Sequence, residues 1–357
     1  MESVVRNAVS RAQESNIAGA SASVHGPKIM VVGVGGAGNN SVNRIARLGI
    51  TGAELVAINT DVQHLGIIHD SINKLLIGES VTRGLGAGGY PEVAAKAAEV
   101  SRAAISKVLE GVDLLFITAG FGGGTGSGAA PIVADIAKEN GAIVIAMVTY
   151  PFKLERSRLL KADEAIERMR KVADTVIIID NNKLVELVPN LPMDQAFAVA
   201  DEIIARAVRG ITETIMTPSL INLDFADVRS IMTQGGVSVI SVGEARGHQR
   251  VDEVVQDTLH NALLDVDREG ARGALIHITA GPDFSIKEAN DIGEKLTEAI
   301  DPRAMVIWGA RVVPEYEGRV EVICIMTGVK SAHIKGPVAE GLTEKASDLS
   351  LGISYLK

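Results

Sequence analysis

A single cysteine, Cys324, stands in 357 residues, so neither an intrachain disulfide nor a cysteine-based metal site can form. A reducing compartment is expected. Aromatic residues make up 3% of the chain and hydrophobic residues 46%, so the core is aliphatic, built from Val, Ile, Leu and Ala. The longest apolar runs, such as AIVIAMV at 142–148, fall far short of the roughly 18 residues that suggest a membrane span. No Lys/Arg block stands out and the net charge is −9, which argues against nucleic acid and anionic membrane surfaces as partners. The G-x-x-x-x-G-K-[ST] phosphate loop is missing throughout. The first 26 residues have no continuous apolar stretch, so no secretory signal is expected. They read as an extension: a weakly amphipathic helix from Glu2 to about Gln13, then a Ser/Ala/Gly-rich linker. A soluble cytoplasmic protein with no direct membrane insertion is expected.

What the chain does contain is alternation. From Pro27, apolar runs (KIMVVGV, AELVAINT, KLLIG, DLLFITAG, AIVIAMVTYP, TVIIID) alternate with helical patterns (39–49, 91–111, 130–141, 158–173). Strands apolar on both faces, separated by helices, predict a parallel sheet covered on both sides. A long helical pattern follows from Asp194, a plausible N-cap, to about Thr217, with Phe197, Ala200, Ile204, Val208, Ile211 and Ile215 at helical spacing. The second half offers strands near 236–245, 273–281, 304–313 and 319–328 and helices near 225–234, 251–265 and 286–299. VPEYEGRV, between its last two strands, predicts a hairpin and hence a mixed sheet. The expected organisation is an extension (1–26), a parallel-sheet domain (27–193), a central helix (194–218), a smaller α+β domain (219–332) and a tail (333–357).

Two glycine clusters carry the clearest chemistry. VVGVGGAGNN (31–40) satisfies G-x-G-x-x-G between a strand and a helix, the context in which backbone N–H groups at a helix N-terminus receive phosphate. FGGGTGSGAA (121–130) follows another strand. Its bare glycines let amides close on phosphate oxygens, and Thr125 and Ser127 can add hydroxyls. Both loops belong to one edge of a parallel sheet, which suits a di- or triphosphate gripped from two sides. An NAD site needs an acidic residue closing the second strand, but that strand ends Asn59–Thr60 before Asp61.

INLDFADVRS (221–230) places Asp224 and Asp227 three apart at a predicted helix start, where they share a face. They suit the helix dipole, and equally suit orienting a water for attack on phosphorus. The long helix before them spans roughly 33 Å. Unless the chain doubles back, the carboxylates and glycine loops lie at opposite ends of one molecule. A single reaction would then need a second subunit, joined by a head-to-tail contact that propagates as a filament.

These residues match a known pattern. GGGTGSG resembles the tubulin/FtsZ signature, with Ser127 where a second Thr is usual. VGVGGAGNNSVN, INTD with Gln63 and Leu65, TRGLGAGGYPEVAAKAAEV, TYPFKLE, NLDFADVRSIM and GARGALIHITAGPDFSI resemble successive FtsZ segments in family order, over about residues 27–330. The pattern resembles archaeal more than bacterial members. The resemblance implies a tubulin-like α/β fold and a GTPase that assembles head to tail into cell-division filaments. It implies a first phosphate loop of Gly35, Gly36, Ala37, Gly38 and Asn40, with Asn40 near the nucleoside. Gly122, Gly123, Gly124, Thr125, Gly126, Ser127 and Gly128 would cradle the phosphates of GTP or GDP. Gly86, Ala87 and Gly88 would sit near the γ-phosphate and Glu155 would meet the ribose. Asn222, Asp224 and Asp227 would act in trans, with Mg²⁺ held mainly by phosphates and water.

The chain departs from the family at three places. ERSRL puts Arg158 one position earlier than the family's ribose or phosphate arginine. Asn182 aligns with a guanine-reading Asp; an amide offers one acceptor oxygen where a carboxylate accepts from two guanine N–H groups. The end of the chain lacks a long linker and basic peptide, and LGISYL reads either as a short motif for a tethering or division partner or as a frayed end. An NAD(P)-dependent oxidoreductase, resting on G-x-G-x-x-G alone, and a GTP-binding scaffold without turnover remain alternatives. DVDREG (265–270) mimics a calcium loop but lacks its closing Glu, since Ile276 falls there. His277 reads as a core histidine, and no histidines cluster for a metal.

Overall fold

A computed structural model describes residues 26–216, 225–233, 237–260, 271–298 and 300–329. The first half runs β1 (Ile29–Val34), α1 (Gly35–Leu48), β2 (Ala53–Asn59), α2 (Val62–Gly66), β3 (Asn73–Leu76), α3 (Glu79–Thr82), α4 (Pro91–Val100), α5 (Arg102–Val108), β4 (Leu114–Gly120), α6 (Thr125–Glu139), β5 (Ile143–Tyr150), α7 (Arg156–Val172), β6 (Thr175–Asp180) and α8 (Asn181–Leu187). The long helix α9 (Met193–Met216) leads to α10 (Phe225–Met232), β7 (Val237–Arg246), α11 (Arg250–His260), β8 (Gly273–Ala280), α12 (Ile286–Thr297), β9 (Met305–Val312) and β10 (Arg319–Thr327).

Among the described residues ten strands form one sheet, ordered β3-β2-β1-β4-β5-β6-β7-β10-β8-β9. The first six are parallel, as expected. A short parallel ladder, Val176 with Val237 and Ile177 with Ser238, joins them to the second half. That half is mixed, but not through the predicted hairpin. β10 inserts antiparallel between β7 and β8, and β9 pairs only with β8, in parallel. The Pro314–Tyr316 turn therefore carries the chain past β8 rather than back along β9.

Strand alternation creates two cores. On β1, Met30, Val32 and Val34 face the layer containing α4, α6 and α7. Ile29 and Val31 face α1, α9 and α10. Helix α9 buries Ala200, Ile204, Val208 and Ile211 in the second core with Leu275 and Ile323 from the far half, so one apolar helix face serves both halves. The single helix predicted over 91–111 is two helices broken at Ser101, whose hydroxyl accepts from the Gly78 N–H at 2.9 Å.

Candidate functional site

β1 sends the chain outward to β2 and β3, while β4, β5 and β6 build the other way. The carboxyl ends of β1 and β4 are therefore the sheet's switch point, where open α/β sheets leave a crevice. A cavity of about 960 Å³ opens there, with walls that include the turns after β1, β4 and β5 and one face of α9.

Both glycine clusters are helix starts: α1 begins at Gly35 and α6 at Thr125, each earlier than the periodicity alone indicates. The unpaired first-turn amides of two helices, with their dipoles, thus converge on one cavity. The glycines divide by task. Gly36, Gly123, Gly124 and Gly126 line the cavity, with Ala37, Asn40 and Thr125. Gly35 and Gly122 hold left-handed backbone at φ of 76° and 96°. A Cβ on Gly38 would lie 2.1 Å from the Thr118 carbonyl oxygen, and one on Gly128 1.9 Å from that of Pro91. These two let a helix lie against its neighbour and do not reach the cavity wall. Ser127 is buried; its hydroxyl accepts from the Gly122 N–H at 2.8 Å and pins the turn. Thr125 shares a hydroxyl–hydroxyl bond of 2.8 Å with Thr60.

Gly86, Ala87 and Gly88 do not line the cavity. Their loop is held by the Gly86 N–H bond to the Thr60 carbonyl, and Ala87 backs Gly124 from outside. Glu155 and Arg158 both reach the wall, paired at 2.6 Å, and Glu155 also accepts from the Phe152 N–H. The earlier position of Arg158 thus still brings it to the site.

The structure brings Asn181, not Asn182, to the cavity. Asn182 is occupied as a clip: its oxygen accepts from the Lys153 N–H and its amide donates to Asp180 and to the Pro151 carbonyl. Asn181 lines the wall with a buried, unpartnered Oδ1. Sequence reasoning also passed over Asp201 and the Phe152–Phe197 pair, whose ring centroids lie 5.7 Å apart. Asp201 accepts from the Ser41 hydroxyl. Burial pushes its carboxyl up to about 6, against the Ser41 hydrogen bond and the charge of Arg44. A signal for it existed: an acid inside the apolar face of α9, one residue after Ala200, with Phe197 four residues before it.

The far end of α9 reaches the opposite edge of the sheet. Met216 packs where a Cβ on Gly52 or Gly26 would sit, beside the amino ends of β2 and β1. The last turn of α10 is tied there too, its Met232 carbonyl accepting from Thr175 at the start of β6. Asp227, in the first turn of α10, does not line the cavity. Asn222, Asp224 and the 265–270 segment lie outside the described residues. His277 is buried in β8, its imidazole pushed down to about 4 by burial and by Arg311. Arg311 pairs with Glu213, and Arg206 with Glu321, fastening the second half to α9.

Residues 28–189 match the family model described as Tubulin/FtsZ family, GTPase domain, and residues 236–330 match that of the FtsZ family, C-terminal domain. The chain belongs to the tubulin/FtsZ family. Cell division protein FtsZ 2 of Methanocaldococcus jannaschii is 63% identical over 87% of this chain and 82% of that relative. Its namesake in Haloferax volcanii is 50% identical over 97% and 88%. Among solved structures, an empty FtsZ dimer of M. jannaschii matches with a TM-score of 0.80 at 40% identity, covering 94% of this chain and 98% of that one. This FtsZ-family chain is accordingly a guanine-nucleotide-binding GTPase with the tubulin-like α/β fold, and the oxidoreductase reading is not favoured. Among the described residues, no helix is long and apolar enough to cross a membrane.

Proposed function

We propose that the cavity at the switch point holds GTP and that hydrolysis is completed by a neighbouring subunit in a head-to-tail filament. The observation that carries this reading is the separation of parts. Two helix N-termini and their glycines gather at the carboxyl edge of the sheet, while the last turn of α10 is tied to the amino edge. The amides of Gly36, Gly123, Gly124 and Gly126 face the phosphates. Glu155 and Arg158 flank the ribose. Phe152 and Phe197 cover the base, with Asn40, Asn181 and Asp201 supplying polar contacts. A carboxylate at Asp201 would accept from guanine N1–H and N2–H₂, the role sequence alignment gave to Asn182. Mg²⁺ would neutralise phosphate charge while bound to phosphate oxygens and water. Asn222, Asp224 and Asp227 of the next subunit would position the attacking water. The setting is cell division, with septation at mid-cell and a membrane-tethering or division partner reached through residues 333–357.

Sedimentation and phosphate release, followed together across protein concentration, test this. GTP-dependent pelleting and a hydrolysis rate per subunit that rises with concentration are expected. A rate per subunit that stays flat would contradict catalysis in trans.

A further inference from the structure

The cavity has little positive charge for a ligand that carries at least two negative charges. Among the described residues its wall holds no lysine, and the one arginine there, Arg158, is already paired with Glu155 at 2.6 Å. The other side chain there able to offer an N–H to phosphate, beyond the amides and hydroxyls already described, is His64 on α2. That helix is only five residues long, and its start is fixed by Asp61, whose carboxylate accepts from the Gln63 and His64 N–H groups. The imidazole is thereby set over the first phosphate turn: a Cβ on Gly36 would meet Nε2 at 3.6 Å. Nδ1 is buried and has no hydrogen-bond partner. A proton on Nδ1 would be a buried donor without an acceptor, which is costly. The neutral ring is therefore best accommodated with its proton on Nε2, beside Gly36.

We infer that His64 is a phosphate-positioning residue, donating from Nε2 to the nucleotide phosphate seated at Gly36. This rests on the reading of the cavity as the GTP site. The bond to an anionic oxygen is charge-assisted. It supplies in this chain part of what a lysine supplies in other phosphate loops. It acts on the phosphates and not on the base, because its Nε2 lies against Gly36, whereas Asn181 and Asp201, two of the three polar groups assigned to the base, come from α8 and α9.

Guanosine, GDP and GTP binding to the full chain, measured by calorimetry for wild type, His64→Ala and His64→Gln, tests it. The expected result is GDP and GTP affinity about tenfold weaker in His64→Ala, guanosine affinity unchanged, and partial recovery in His64→Gln, which keeps an N–H donor. Unchanged GDP affinity in His64→Ala would overturn the inference. So would an equal loss for guanosine, which marks a purely structural role. Wild-type protein that binds no guanine nucleotide would instead sink the reading of the cavity itself.

Discussion

The two halves of the sheet use similar apolar strands to different ends. In β1 to β6 all strands run parallel, every turn after a strand opens on one edge, and the reversal between β1 and β4 leaves a cavity of about 960 Å³. In β7 to β10, β10 runs against both of its neighbours, so strand ends of both polarities share each edge. Polar groups there turn inward instead: His277 and Glu321 are buried, and Arg206 and Arg311 tie the sheet to α9. Strand direction, more than strand composition, separates the half that builds a nucleotide crevice from the half that locks onto the helix.

Substitutions break this contrast by unequal amounts. Gly38→Ala drives a methyl into the Thr118 carbonyl, and chemical denaturation should register a loss of about 3 kcal/mol. Gly123→Ala, where nothing lies within 4 Å, should hold stability within about 0.5 kcal/mol and weaken GDP binding alone. Asp201→Asn comes next. Guanosine affinity should fall roughly tenfold to a hundredfold. Because burial raises the Asp201 carboxyl to about 6 from 3.8, the folded state binds the extra proton between those values. Its contribution therefore falls as pH rises through about 6, and Asp201→Asn should raise the apo melting temperature at pH 7.5.

In the mixed half the sign is opposite. His277 is depressed to about 4 from 6.5, so the unfolded state binds the proton first and stability is lost as pH falls from 6.5 toward 4. His277→Gln should reduce that acid loss by about 2 kcal/mol in pH-dependent melting. The smallest effect belongs to Arg158→Ala. Its pair with Glu155 is largely exposed on the arginine side, so stability should hold, while GTP affinity drops roughly threefold.

Much of this was legible in the sequence, for identifiable reasons. All ten strands follow from apolar runs with short boundaries, and the glycine clusters mark the crevice because a strand and a helix flank each one. Three features were not legible. The partner of β10 depends on long-range pairing that its own residues do not encode, so VPEYEGRV reads as a hairpin when it is a crossover. Gly38 and Gly128 look like phosphate glycines because the sequence does not distinguish close approach to a helix or strand from close approach to a ligand. Asn182 and Asn181 are adjacent, and only the bond from the Lys153 N–H and the bonds to Pro151 and Asp180 decide which of them is left for the cavity.

The central claim is that one subunit's cavity is served by another subunit's carboxylates. Two variants test it most directly: Asp224→Ala, which keeps the cavity, and Gly123→Glu, which places a negative charge where the phosphates would sit and keeps residues 222–227 intact. Each alone should release little phosphate from GTP, and an equimolar mixture should recover a substantial part of the wild-type rate. A mixture no faster than the sum of its parts, under conditions where the two variants co-sediment, would contradict the account.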